Sequence, residues 1–179
     1  TVPGMSLAAT YTVKALENST SGGVGLEVDV FSGNSFSILV STSDLWNAGD
    51  LPRWSNANGI DGPDLIASGV ADATGDNPAA EFTVIGRDIF GDYTQNGLTA
   101  PFGTLVGQFG SGNFFKIGTS YTGIATDNKL KLFYFDSNNG DNTGSVRVNV
   151  TAVPEPETYA MLLAGLGVIG FMARRRKNG

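Results

Sequence analysis

Short runs of alternating apolar and polar residues fill the chain as far as residue 152. In 10–16, Tyr11, Val13 and Ala15 fall on one side. In 24–31, Val24, Leu26, Val28 and Val30 share a face, with Glu27 and Asp29 opposite. Residues 35–40 continue the pattern, and 64–71, 81–85, 103–109, 114–117, 129–135 and 145–151 repeat it further on. A period of two bounded by Gly, Asn and Asp marks half-buried strands. No 3.6-residue period is sustained before residue 156, although 82–97 leaves room for one helical turn. Many short strands separated by frequent turns predict an all-β sandwich or barrel. Glycine, at 25 of 179 residues, runs at roughly twice average usage and supplies the turns.

The pattern changes after Val153. Pro154, Glu155, Pro156 and Glu157 form a stiff acidic hinge, residues 159–173 carry no charge, and Arg174, Arg175, Arg176 and Lys177 follow. As a helix, the 15 uncharged residues would rise about 22 Å, short of the ~20 residues that a hydrocarbon core of about 30 Å asks for. Snorkelling by Arg174 extends the reach. The cations obey the positive-inside rule and predict a cytoplasmic C-terminus. Ala160, Ala164 and Gly167 lie near one helical face, where they permit close helix approach. A buried core helix is the competing reading of such a run; the Pro-Glu-Pro and Arg blocks on either side are poor company for one. In order and spacing this tail resembles the PEP-CTERM sorting signal of exported bacterial proteins. The resemblance implies export across the inner membrane and recognition by an exosortase. It also implies a cell-surface or extracellular-matrix destination, with a C-terminal hydrophobic helix as transient or permanent anchor.

Composition removes several activities. The chain has no cysteine and no histidine, which excludes disulfides, thiol nucleophiles, Ser-His and Cys-His pairs and the commonest transition-metal ligand. No carboxylate pair or Ser-Lys arrangement has a local signature, so the chain reads as a non-enzyme. Four of the eleven Lys and Arg sit in the terminal block, so the rest is more acidic than the whole-chain charge of −6. That balance argues against nucleic acid as a partner and is compatible with cation binding. The chain opens Thr1-Val2-Pro3 without Met, which suggests a removed signal peptide.

The stretch richest in possible chemistry is 130–150. A strand runs into Asp136; Ser137, Asn138, Asn139, Gly140, Asp141 and Asn142 form a polar loop; a second strand starts at Ser145. Calcium takes six to eight oxygens from carboxylates, amides and backbone, and Asp136, Asp141, Asn142 and loop carbonyls are candidate ligands. An EF-hand is excluded, because the position eleven after Asp136 is Arg147 rather than Glu. The same residues also suit a plain hairpin turn with no ion.

This hairpin is similar to the C-terminal hairpin of PA-I type galactose-binding lectins. Supporting motifs are Trp46-Asn47-Ala48-Gly49, Asn58-Gly59-Ile60-Asp61-Gly62-Pro63-Asp64, residues 103–110 and residues 114–118. The resemblance spans 36–151 and implies a jelly-roll-like β-sandwich holding calcium in the hairpin loop. In this chain the ligands would be Asp136, Asp141 and Asn142, completed by a backbone carbonyl near Ala48 or Gly49. Trp46 and Asn139 become candidate sugar contacts, although core packing is the commoner fate of Trp46 and Trp54. The loop is shorter here between its first Asp and the Asp-Asn pair, and the histidine sugar contact of those lectins has no counterpart.

The expected organisation is an N-terminal β segment at 1–32 available to pair with a neighbour, a lectin-like sandwich at 33–152, and the sorting tail at 153–179. Two functions are open at this point. One is a surface-sorted, calcium-dependent module that binds extracellular polysaccharide. The other is a structural subunit that self-associates through strand pairing or through its apolar tail.

Overall fold

The computed structural model describes residues 6–153 and Leu166. The anticipated C-terminal helix and the sorting residues Pro154, Glu155, Pro156, Arg174, Arg175 and Arg176 lie outside the described residues. Among those described, the strands are β1 (Leu7–Lys14), β2 (Leu26–Asp29), β3 (Ser35–Val40), β4 (Trp46–Asn47), β5 (Trp54–Ser55), β6 (Leu65–Ile66) and β7 (Val84–Gly86). They continue with β8 (Asp92–Gln95), β9 (Leu98–Pro101), β10 (Leu105–Phe109), β11 (Phe115–Lys116), β12 (Ser120–Ile124), β13 (Lys129–Tyr134) and β14 (Thr143–Ala152).

One sheet runs β12-β3-β14-β4-β5 with β1 on the other side of β14, and a second runs β11-β10-β13-β2. Two hairpins, β6-β7 and β8-β9, complete an all-β sandwich. Every strand pair is antiparallel, as alternating half-buried strands favour. The alternation sets the faces. In β14, Val146, Val148, Val150 and Ala152 are buried, whereas Arg147 and Asn149 face outward. They meet Val13, Phe36 and Ile38 of their own sheet and Val28, Leu105, Leu130 and Leu132 of the other in one core cluster. The stretch 82–97, read as room for a helical turn, instead enters β7 and β8.

Within the N-terminal segment read as available to pair with a neighbour, the described residues contribute one strand to each sheet. β1 pairs β14 from Leu7↔Ala152 to Lys14↔Ser145, and β2 pairs β13 from Lys129↔Asp29 to Leu132↔Leu26. The reason is burial: Val13, Ala15, Val28 and Val30 are at most 2 % exposed, and without these strands the inward faces of β13 and β14 would lack cover.

A cluster of aspartates fastens the loop after β6 onto the sandwich. Asp44, 0 % exposed, accepts the Arg147 N–H at 2.5 Å. Asp72 accepts the Leu45 N–H, and Asp76 accepts the Ser145 N–H, each at 2.9 Å. Thr74 Oγ1 lies within 3.2 Å of all three carboxylates and 2.8 Å from the Ser145 carbonyl. Burial raises the Asp44 carboxyl above its ordinary 3.8, against the lowering bond from Arg147 N–H; neighbouring Asp72 raises it further. The native state therefore binds more protons than the unfolded chain between 3.8 and that raised value. The resulting contribution to stability is complete below 3.8 and is lost as pH rises through the folded value. Asp44→Ala strands the buried Arg147 N–H and should cost about 1–3 kcal/mol near neutral pH. Urea unfolding of both chains checks this, and the variant should lack the Asp44 share of the stability gained on mild acidification.

Candidate cation and ligand site

Strand β13 ends at Tyr134, Phe135 follows it, each 0 % exposed, and the chain delivers Asp136 at 5 % exposure to the sandwich rim. The N-terminal segment holds the loop from one side. Thr20 Oγ1 donates to the Asp136 carbonyl at 2.9 Å and accepts its N–H at 3.0 Å. Ser21 Oγ donates to the Ser137 carbonyl at 2.7 Å. The side-chain amides of Asn139 and Asn142 donate to the Leu16 and Ala15 carbonyls at 3.3 and 3.2 Å.

The other side is built by the β4–β5 turn. Gly49 sits at φ +123°, and a Cβ there would fall 2.4 Å from Asp141 Oδ2; only glycine lets the backbone approach that carboxylate. Arg53 Nη1 lies 3.5 Å from Asp141 Oδ2, and its guanidinium sits 5.1 Å over the Phe90 ring. Phe90 in turn packs edge-on against Phe102 at 5.8 Å. Asp136, Ser137, Asn138 and Asp141 thus face Ala48, Arg53, Phe90 and Phe102 across a recess of about 240 Å³.

Burial pushes the Asp136 carboxyl above its ordinary value, although bonds from the Ser137 and Asn138 N–H groups and the Asn142 amide pull it down; Asp141 adds a further upward push. The Tyr134 hydroxyl beneath is driven well up by burial, then by Asp136 and Asp141. Among the described ion pairs Asp136 has no cationic partner. Two buried amide oxygens nearby, Asn142 Oδ1 and Asn47 Oδ1, also accept no hydrogen bond, a costly state in a packed interior. Asn47 is fixed by its register with Thr143 and by bonds from its amide nitrogen to the Gly49 carbonyl and Thr143 Oγ1. Two carboxylates, two unpartnered amide oxygens and loop carbonyls suit a hard, oxygen-seeking cation. Among the described residues no three Asp, Glu, His or Cys side chains are arranged to hold a metal ion by themselves, so amides and backbone would have to supply part of any shell. The turn reading is met as well, with the Gly140 N–H on Asn138 Oδ1 at 3.2 Å.

The structure brings Asp136, Asp141 and Asn142 to one loop and sets Ala48 and Gly49 beside it. Trp46 requires correction as a sugar contact. It is 0 % exposed, its ring meets Tyr134 edge-on at 4.7 Å, and its indole N–H donates to the Gly103 carbonyl at 2.8 Å. A ring buried on both faces has none left for stacking; the exposed aromatic at the recess is Phe90, at 46 %. Asn139 points its amide back to Leu16 on the N-terminal side and does not line the recess. The sequence assigned no site role to Thr20, Asn47, Arg53 or Phe90. For Asn47 a signal was present, since a polar residue beside a core tryptophan in a strand needs a polar partner. Arg53 and Phe90 lie 37 positions apart and share no local pattern.

No curated protein matches the chain. Residues 152–177 match the PEP-CTERM protein-sorting motif, which marks the chain as exported and sorted through its C-terminus to the cell envelope or surface, with processing by an exosortase implied.

Proposed function

We propose that the sorted domain is a non-enzymatic binding module of the lectin-like, jelly-roll type, in which a calcium ion orders the 136–142 loop and presents it to an extracellular polysaccharide. The observation that carries this reading is the buried Asp136 carboxylate without a cationic partner, with the unpartnered Asn142 Oδ1 beside it. Asp136, Asp141, the amide oxygens of Asn47 and Asn142 and nearby carbonyls would hold the ion. Bound there, it would supply Lewis-acidic coordination for sugar hydroxyls. Phe90 offers the apolar face of a ring to the sugar C–H surface, and Arg53 offers hydrogen-bond donors to its oxygens. Absence of histidine supports a non-enzyme.

Thermal unfolding of the full chain in EDTA and in millimolar calcium tests this. At a hundredfold excess over Kd the ion adds about 2.7 kcal/mol, a rise of roughly 5–10 °C for a domain of this size. Asp136→Asn should be at least as stable as the parent in EDTA, since burial disfavours the charge, yet should lose the calcium-dependent rise. Because burial raises the Asp136 carboxyl, the calcium response should weaken as pH falls through that raised value. Equal melting curves with and without calcium would reduce the loop to a turn.

A further inference from the structure

We infer that β1 is a self-pairing edge, through which two copies of this chain join their larger sheets antiparallel about a two-fold axis at Thr10. Among the described residues β14 is the only strand paired with β1. The Ala15 N–H donates to the Gly144 carbonyl at 3.0 Å, in continuation of the Lys14↔Ser145 register. Antiparallel ladders alternate, so Leu7, Ala9, Tyr11 and Val13 also turn their backbone groups toward β14. Ala8, Thr10, Thr12 and Lys14 therefore turn theirs outward.

Lys14 verifies the assignment, because both its outward groups are taken by Asn18. Its N–H donates to Asn18 Oδ1 at 2.8 Å, and its carbonyl accepts the Asn18 N–H at 2.9 Å. Asn18 thus caps one end of the edge and leaves Ala8, Thr10 and Thr12 open.

Exposed edges usually carry charge, proline, a bulge or a cover. The β2 edge has such a guard: Val30 N–H bonds the Asn128 carbonyl, so the outward residues there are Glu27 and Asp29, both acidic. From Leu7 to Val13 β1 carries no charge and no proline, and its register is unbroken by a bulge. Pairing about Thr10 sets Ala8 opposite the second copy's Thr12, Tyr11 opposite its Ala9, and Leu7, 44 % exposed, opposite its Val13. The one charge, Lys14, meets the second copy's Ser6, so like charges never face each other. The opposite edge strand, β12, is shorter, at five residues against eight, with Thr122 at its centre and Gly123 beside it.

The chain has no cysteine, so a single introduced one reports the register. Facing Thr10 residues would stand about 5.5 Å apart at Cα, within disulfide reach. Two Ala8 residues would be offset by four positions, about 13 Å, and out of reach. Oxidation of full-length Thr10→Cys should give a covalent dimer as the main species. Ala8→Cys and Thr122→Cys should stay monomeric alone, and a mixture of Ala8→Cys with Thr12→Cys chains should cross-link. Light scattering should show Thr10→Lys, an exposed site outside the core, folded at half the parent mass, with a melting temperature that no longer rises with protein concentration as the parent's does. A monomeric parent, equal cross-linking at positions 8 and 10, or cross-linking at Thr122 in place of Thr10 each overturns the inference. None of these readings depends on calcium.

Discussion

Replacing Trp46 by alanine should cost about 3–5 kcal/mol of unfolding free energy, a large share of the ~5–15 kcal/mol that holds a domain together. The ring is fully buried, meets Tyr134 edge-on at 4.7 Å and donates its indole proton to the Gly103 carbonyl. Deletion leaves a cavity and an unpaired carbonyl, and it adds to a neighbourhood where the Ser55 and Tyr134 hydroxyls already have no partner. The consequence reaches the site. Trp46 precedes Asn47, which pairs with Thr143 at the start of β14, and Tyr134 stands two residues before Asp136. One indole therefore steadies both strand ends that flank the 136–142 loop. Urea unfolding should show the loss in the midpoint with little change in slope. The calcium-dependent melting increment should shrink as well. A loss below about 1 kcal/mol would mean that the cavity collapses around the missing ring.

Phe36→Ala should destabilise by a similar amount, about 3–5 kcal/mol, and leave the site alone. Phe36 is 2 % exposed and lies at the other end of the sandwich. It packs edge-on against Phe109 at 5.9 Å and tilted against Tyr121 at 5.6 Å, and Phe115 joins the same cluster. Its strand partners are Ala152 and Gly123, far along the sheet from Thr143 and Asn47. The melting temperature should drop as in Trp46→Ala, while the increment produced by calcium should survive. Side by side, the two variants separate loss of stability from loss of the site. If Phe36→Ala abolished the increment too, the cation response would report global folding rather than loop 136–142.

Much of the scaffold was legible without coordinates. Alternation at Val24, Leu26, Val28 and Val30 marked a strand, and the structure forms β2 from Leu26 to Asp29. Val24, 76 % exposed, stays outside because its N–H turns aside to the Glu17 carbonyl. The runs at 35–40, 129–135 and 145–151 became β3, β13 and β14. Trp46 was harder. A tryptophan beside a polar loop reads equally as platform or as core, and only the Tyr134 ring against it decides.

The chain by itself determined the strand periodicity, the turns, the absence of histidine and cysteine chemistry, the sorting motif at 152–177 and the loop where Asp136, Asp141 and Asn142 gather. These are local properties, written in neighbouring residues and in composition. Tertiary structure alone decided what faces that loop: Arg53 at 3.5 Å from Asp141, Phe90 under Arg53, Asn47 across from Thr143 and Thr20 on Asp136. It also decided that residues 7–29 complete both sheets while, among the described residues, no strand pairs with the outer edge of β1. The physical reason is the same in each case. Strand pairing joins residues more than a hundred positions apart through backbone bonds that carry no side-chain signature, so the partner of a strand is chosen by the burial it completes.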